Sequence, residues 1–317
     1  MTTSHEPDWD RLHRLREQFL RDADGPRTIA DYWRDERDLA AYDAILAARI
    51  GWKWDAVLDE LEERGITIPA TRILDWGCGS GIATRRVLAT KTTPVPSVQL
   101  HDRSTDAMQF AAERVASEHP DVSVATAPRI PIDEHPDLLL LSHVLNELNA
   151  ATEERLLDLV RRAEHVLWVE PGTHAVARRL AAIREQLAER FDILAPCTHA
   201  KSCPTLAGDR DWCHFFAAPP TEVFTDPDWV RAGRTLGVDL RSLPYSFLAL
   251  RKRTAEPHPP SAAARLIGRP YVRKKLARTF LCDADGLHER SIVKPDDPEL
   301  FRQLKKDPPR LLPRDGG

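Results

Sequence analysis

No run of about 18 apolar residues occurs in this chain of 317 residues, so a membrane-spanning helix is not expected. The first residues, Met1 to Trp9, are polar. They lack both the apolar stretch of a secretory signal and the Arg-rich, acid-poor character of a transit peptide. A soluble, cytoplasmic protein with no membrane partner is the expectation. No internal repeat is present, which excludes a repeat architecture. An overall basic charge is also missing: 45 Lys and Arg face 49 Asp and Glu, for a formal net charge of −4. The cysteines number only five, Cys78, Cys197, Cys203, Cys213 and Cys282. An odd count in a cytosolic chain argues against a disulfide framework, so metal binding or plain burial must account for them.

Hydrophobic residues make up 42% of the chain, enough for a sizeable core in one large domain or two modest ones. The charge is unevenly spread. Twelve basic residues lie between Arg231 and Arg278, opposed only by Asp239 and Glu256, a local excess of +10. Such a block can bind a phosphate backbone; the alternative is a solvated surface balanced by the acidic N-terminal region.

Apolar residues at three- and four-residue steps, such as Leu12 and Leu15, then Leu39, Tyr42, Leu46 and Ile50, predict an N-terminal helical region over 1–64. Strands are predicted at Arg72–Asp75, Ser97–Asp102, Val122–Ala125, Asp137–Ser142 and His165–Glu170, with helices between them. Ser104 is placed to cap one of these. Alternation of strand and helix means a parallel sheet covered on both faces. This domain is expected to span 65–256 and to carry a cysteine-rich loop at 195–216. Pro257-His-Pro-Pro260 reads as a linker. A small β unit over 261–294 follows, with a strand at Tyr271–Cys282, a turn at Asp283–Gly286 and a strand at Leu287–Val293. Residues 295–317 read as a flexible tail.

After the first strand comes Asp75-Trp-Gly-Cys-Gly-Ser-Gly81. Glycines at this place let backbone pass close to a ligand and start a helix. Asp75, Gly77, Gly79 and Gly81 fit the D-x-G-x-G-x-G form of methyltransferases, whereas a dinucleotide fold prefers G-x-G-x-x-G. The second strand ends in Asp102, about twenty residues on, where a carboxylate can accept both ribose hydroxyls. Arg103 or Ser104 would flank the adenine. The expected fold is thus the α/β, Rossmann-like class I fold of S-adenosylmethionine-dependent methyltransferases. A tight turn without a ligand is the competing reading. Cys78 reads as a small packing residue beside the ligand, since no base or cation is near it in sequence.

The fourth strand leads into Ser142-His-Val-Leu-Asn-Glu147, the edge where a methyl acceptor should sit. Ser142 joins the cofactor set. His143, Asn146 and Glu147 are candidates to hold an acceptor or the cofactor's amino group. Equally, they could cap a helix. Methyl transfer is an in-line displacement in which positioning alone supplies much of the acceleration. The segment carries neither the [DN]-P-P-[FYW] motif of exocyclic-amine methyltransferases nor the Pro-Cys pair of cytosine C5 enzymes.

Cys197, Cys203 and Cys213 share one loop with His199 and His214. Thiolates are soft ligands that suit zinc or an iron-sulfur cluster. Cys282, His199 and His214 are all available as a fourth ligand, and spacing does not choose the metal.

Ile73-Leu-Asp-Trp-Gly-Cys-Gly-Ser-Gly81, Ser142-His-Val-Leu-Asn-Glu-Leu148, Val169-Glu-Pro-Gly-Thr173, Ala195-Pro-Cys-Thr-His199, Cys203-Pro204 and Asp211-Trp-Cys-His-Phe215 together resemble one family. It is the methyltransferase-like family of the mitochondrial small ribosomal subunit, which has bacterial members. The resemblance covers roughly residues 30 to 294. It implies a [4Fe-4S] cluster held by Cys197, Cys203, Cys213 and Cys282, with the small ribosomal subunit and its rRNA as partners and no DNA. Family members often continue with a basic Tyr-Arg-x-Ala-Arg-like segment, which Leu300-Phe-Arg-Gln-Leu-Lys-Lys306 replaces here. The leading expectation is a methyltransferase acting on small-subunit rRNA. The alternatives are a non-catalytic assembly factor braced by cofactor and cluster, and a small-molecule methyltransferase.

Overall fold

The structure is a computed structural model that describes residues 8–21, 33–91, 94–131, 133–254 and 261–314. The linker expected at 257–260 lies outside the described residues. The chain divides into two compact units: Met1–Val169 with Ala217–Leu243, and Glu170–Phe216 with Pro244–Gly317. This differs from the expected division. The cysteine-bearing loop belongs with the C-terminal β region, not with the glycine loop.

The first unit begins with α1 (Trp9–Arg21), α2 (Glu36–Tyr42) and α3 (Ala48–Glu63), the last two joined by a π-helical turn at Asp43–Ala47. Leu12 and Leu15 of α1 are fully buried, as their three-residue spacing requires. The buried carboxylate of Asp38 is held by Arg11 at 2.7 Å, by Arg14 and by the Arg34 N–H at 2.8 Å.

Then strands and helices alternate: β1 (Arg72–Trp76), α4 (Ile82–Thr90), β2 (Ser97–His101), α5 (Thr105–Glu118), β3 (Ser123–Thr126), β4 (Leu138–Ser142), α6 (Ala150–Val160) and β5 (His165–Pro171). The strands pair in parallel in the order β3-β2-β1-β4-β5. Leu138 to Leu141 are all 0% exposed, which explains the uninterrupted apolar run: both faces of this central strand are covered. Each such leucine contributes about 1.5–3 kcal/mol by leaving water. Ser104 caps α5 by accepting from the Ala107 N–H at 3.3 Å, and Asn149 caps α6 by accepting from Thr152 at 2.9 Å. From β1 the chain runs outward to β2 and β3, then crosses back to β4 on the other side of β1. The crevice between the carboxyl ends of β1 and β4 is therefore the switch point where ligands bind in open α/β sheets. The fold is Rossmann-like, of class I methyltransferase type.

The second unit contains α7 (His174–Leu187), β6 (Phe191–Ala195) and β7 (Phe215–Ala217). The chain then returns to the first unit for α8 (Pro227–Thr235), whose Ala232 packs with Leu12 and Ile45. Back in the second unit, β8 (Leu243–Lys252) pairs antiparallel with β6 and also with β7. A separate antiparallel sheet follows, of β9 (Ala263–Val272), β10 (Leu276–Asp283), β11 (Gly286–Val293) and β12 (Leu311–Pro313), in the order β11-β10-β9-β12. The single strand expected at Tyr271–Cys282 is broken by a turn at Arg273–Lys275, where the Arg273 N–H donates to the Leu276 carbonyl at 2.8 Å.

The flexible tail expected at 295–317 is corrected over its described residues, 295–314. It forms α9 (Pro298–Lys306), capped by Asp297, and then β12. Phe301 and Leu304 of α9 are buried against Leu266, Leu281 and Ile292 of the sheet. Without α9 that face would expose its apolar residues, so burial orders the segment.

Candidate functional site

β1 turns at once into the glycine loop. The N–H groups of Gly77 and Cys78 both donate to the His101 carbonyl, at 2.8 and 3.0 Å, and fasten the loop to the end of β2. Gly77, Gly79 and Gly81 take φ of +75°, +52° and +76°, a region costing other residues roughly 1–2 kcal/mol. Their surroundings differ. A Cβ at Gly77 would meet Val144 Cγ1 at 2.7 Å, and one at Gly81 would meet Ala111 Cβ at 3.1 Å. A Cβ at Gly79 would meet nothing within 4 Å. Gly77 and Gly81 thus allow close packing, whereas Gly79 borders open space.

Two carboxylates flank this loop. Asp75 is 0% exposed; its Oδ2 accepts from the Thr84 hydroxyl at 2.7 Å, and its Oδ1 is buried with no hydrogen-bond partner. Burial pushes its pKa up to about 7, against the Thr84 bond and with help from the nearby Asp102 charge. Asp102 accepts the Gly79 N–H on one oxygen and the Ser104 N–H on the other, both at 3.0 Å. Burial raises its pKa too, opposed by those two bonds. Arg103 is exposed, with its guanidinium 3.8 Å from Glu147. Cys78 is buried, and burial pushes its thiol well up, so it stays neutral.

Across the switch point, register sets Asp75 beside Leu140 and Trp76 beside Leu141, so the end of β4 adjoins the loop. Ser142 Oγ accepts from the buried Trp54 indole at 2.9 Å. His143 follows with φ of +58°, the one positive φ outside glycine among the described residues. Bulky residues seldom adopt it, and such strain clusters at functional sites. The Lys53 ammonium lies 3.3 Å from His143 Nε2, so it donates to a nitrogen that carries no proton. Burial, with the Lys53 charge, holds this imidazole neutral. Asn146 and Glu147 sit in the short turn Leu145–Glu147 just beyond. Lys53 and Trp54 were not singled out from sequence: both lie in a helix whose pattern signals only burial. Ser80, with a buried, unpartnered hydroxyl, lies in the glycine loop itself but was not singled out there.

The cysteines other than Cys78 gather in the second unit. Cys197 follows β6 and the cis Ala195–Pro196 peptide, Cys203 and Cys213 bracket the rest of the loop, and Cys282 comes from β10. All four line one small cavity, open to solvent on one side, together with His199, Thr205 and Arg265. None is in a disulfide. The thiols feel one another: burial raises the pKa of Cys213, and Cys197, Cys203 and Cys282 raise it further. Cys282 is shifted in the same direction by burial and by Cys197 and Cys203.

The alternative ligands separate. His199 lines the cavity, with Nε2 3.6 Å from the Cys282 sulfur. His214 does not line it and stacks on Trp212 at 4.5 Å between ring centres. Among the described residues, no three His, Cys, Asp or Glu side chains converge as a single ion would need. Charges of both signs stand near it: Glu185 pairs with Arg184 and accepts the Cys203 N–H at 3.0 Å, and two arginines are buried there. Arg184 is 2% exposed and is drawn electrostatically to Cys197, and Arg265 is 3% exposed with its guanidinium 4.0 Å from the Phe215 ring centre. Thr205 Oγ1 lies 3.2 Å from the Cys203 sulfur.

Part of the +10 block is buried or paired. Arg265 is buried, and Arg251 and Arg253 lie 2.9 and 3.4 Å from the Asp192 carboxylate. Arg231, Arg234 and Arg241 belong to the first unit and the rest of the described cations to the second. Among the described residues, no helix is long and apolar enough to cross a membrane.

No curated protein sequence matches the chain. Similar solved structures include a candidate RNA methyltransferase from Pyrococcus horikoshii, at 11% identity over 76% of this chain and 99% of that one, TM-score 0.40. The 16S rRNA methylase ArmA follows at 13% identity, 60% and 92% coverage, TM-score 0.36. A methyltransferase from Geobacter sulfurreducens in complex with S-adenosyl-L-homocysteine has 16% identity, 62% and 90% coverage, TM-score 0.36. Likenesses at these scores carry no weight for function. A family profile, by contrast, matches residues 38–308, a span that takes in the glycine loop, the end of β4 and all four cavity cysteines. The chain belongs to the mitochondrial small ribosomal subunit Rsm22 family.

Proposed function

We propose that this protein binds S-adenosylmethionine at the β1–β4 switch point, holds a [4Fe-4S] cluster in the cysteine cavity, and methylates RNA of the small ribosomal subunit. The observation that carries the first part is the buried, unpartnered Asp75 Oδ1 beside a glycine that opens onto free space. A cationic ligand group would satisfy that oxygen and hold Asp75 ionised. Asp102 keeps acceptor capacity for ribose hydroxyls after its two backbone bonds. Asp75, Gly77, Cys78, Gly79, Gly81, Asp102, Arg103 and Ser142 would form the cofactor site. The bound cofactor supplies an electrophilic methyl group. His143, neutral and fixed by Lys53, would position an acceptor with Asn146 and Glu147, and orientation does the rest.

The donor set of the cavity fits a cluster. Four thiols around a space suit a cubane, which is wider than an ion, better than one zinc, for which they would have to converge. Cys197, Cys203, Cys213 and Cys282 would hold it, and Arg184 and Arg265 would offset thiolate charge that the iron leaves uncompensated. The cluster would act as a brace, because ligand binding to the folded chain alone adds to folding free energy.

Two observations favour the non-catalytic reading: Lys53 already occupies His143, and Arg103 stands beside Glu147. Tritium transfer from labelled S-adenosylmethionine to small-subunit RNA tests the enzyme. Transfer that is lost in Gly79→Val is expected. Tight cofactor binding by calorimetry with no transfer to any subunit precursor would leave an assembly factor in its place.

A further inference from the structure

The β9–β12 sheet has two unlike faces. One packs Leu266, Ala277, Leu281 and Ile292 against α9. On the other, register pairs Cys282 with Arg265, Phe280 with Ile267 and Arg278 with Tyr271. That face starts in the cysteine cavity, at Cys282, Arg265 and Ile267. It runs out to Phe280 and Tyr271, which are 39% and 52% exposed. Two aromatic rings left open on adjacent strands lose hydrophobic stabilisation unless something covers them.

The charge around them is mainly of one kind. Arg273, Lys274 and Lys275 form the exposed turn between β9 and β10, and Arg278 is exposed beside them. The Arg273 guanidinium stands 4.9 Å from the Tyr271 ring centre. Glu289, across from Phe280 and 3.8 Å from Arg278, is the acidic group on this face. Aromatic rings interleaved with cations match the two parts of an unpaired nucleic-acid strand, since bases stack on the rings and phosphates meet the cations. A duplex hides its base faces and cannot use the rings.

We infer that this face binds single-stranded RNA, with bases stacked on Tyr271 and Phe280 and phosphates held by Arg273, Lys274, Lys275 and Arg278. The inference rests on the RNA-directed reading above and adds the form of RNA and the residues that take it. It also sets the bound strand at the rim of the cysteine cavity, because Phe280 and Cys282 lie on one face two residues apart.

The test uses the full chain and fluorescence anisotropy. The probe is a labelled RNA strand of about twelve nucleotides, alone and annealed to its complement. Phe280→Ala and Tyr271→Ala should each weaken single-strand binding by roughly 5- to 150-fold, the range one base stack supplies. Phe280→Trp should restore it. Duplex affinity should be weaker and indifferent to the aromatic changes. Lys274→Glu with Lys275→Glu should weaken both and flatten the salt dependence. Thermal midpoints should stay unchanged, because both rings are exposed. Single-strand affinity that falls with the lysine pair but not with either ring would remove the platform and leave the RNA reading intact. No affinity of the parent for either probe would overturn both. Self-association lost in Phe280→Ala, with RNA affinity unchanged, would make the face a contact between copies and overturn the inference.

Discussion

In the first unit, seven consecutive residues, Asp75 to Gly81, build the candidate cofactor loop, and they do so mainly with backbone. In the second, four thiols from two distant segments, 197–213 and residue 282, build the cysteine cavity, and they do so with side chains. The loop is held by N–H bonds to the His101 carbonyl and by three glycines at positive φ. The cavity is framed by side chains instead: the Cys203 N–H donates to Glu185 at 3.0 Å and the Ser246 hydroxyl to the Cys213 carbonyl at 2.9 Å, and its half-buried thiols, mutually repelling once ionised, are set beside two buried arginines. A site of backbone is preorganised; a site of clustered thiols draws stability from what fills it.

The largest effect should separate the two sites. Cys213→Ser or Cys282→Ser is expected to remove the cluster and lower the thermal midpoint by roughly 10 °C or more, as for a loss of about 4 kcal/mol in a chain of this size. S-adenosylmethionine affinity by calorimetry should change little. Cys78→Ser should spare iron content.

Gly79→Val should do the converse. The strained φ and the added side chain in the open space should weaken cofactor binding roughly tenfold or more, at a stability cost of about 1–2 kcal/mol, while iron content holds. Loss of iron in this variant would break the comparison.

Asp75 gives a smaller effect, readable without ligand. Its pKa is raised to about 7 in the fold, against about 3.9 unfolded. Between those values the folded state binds a proton that the unfolded state has released, so stability falls as pH rises through that window and is level above it. Asp75→Asn should flatten this slope in urea midpoints measured across the range, leaving the part due to Asp102. An unchanged slope would show that burial does not hold Asp75 protonated. Smallest of all, Thr205→Val removes the hydroxyl next to the Cys203 sulfur. It should cost about 1 kcal/mol or less, with iron content unchanged.

The same contrast decides what the sequence could tell. The loop is contiguous, so its glycine spacing and the Leu138–Leu141 run could be read directly, as could the Ser104 cap. Lys53 and Trp54 could not, because their partners His143 and Ser142 lie 90 and 88 positions away. Arg184 looks like a surface cation on α7, and only the fold buries it beside Cys197. The turn at Arg273–Lys275 was missed for want of Gly, Pro or Asn. α9 was missed because Phe301 and Leu304 are too short an apolar signal until a sheet face is there to receive them. Cysteine pattern and family resemblance pointed to a metal site. That Cys282 lines the same cavity as Cys197, Cys203 and Cys213 follows from contacts between segments far apart in sequence, such as the Thr198 hydroxyl donating to the Cys282 carbonyl at 3.4 Å and the Gly268 N–H to the His214 carbonyl at 2.8 Å.

The central claim is that four thiols of the second unit surround a cluster, and iron and acid-labile sulfide on anaerobically purified protein test it most directly. The account predicts brown protein with roughly four of each per chain, as a cubane held by four thiolates requires, lost on Cys282→Ser and kept on Cys78→Ser. Colourless protein with about one zinc per chain, or iron retained after Cys282→Ser, would contradict it.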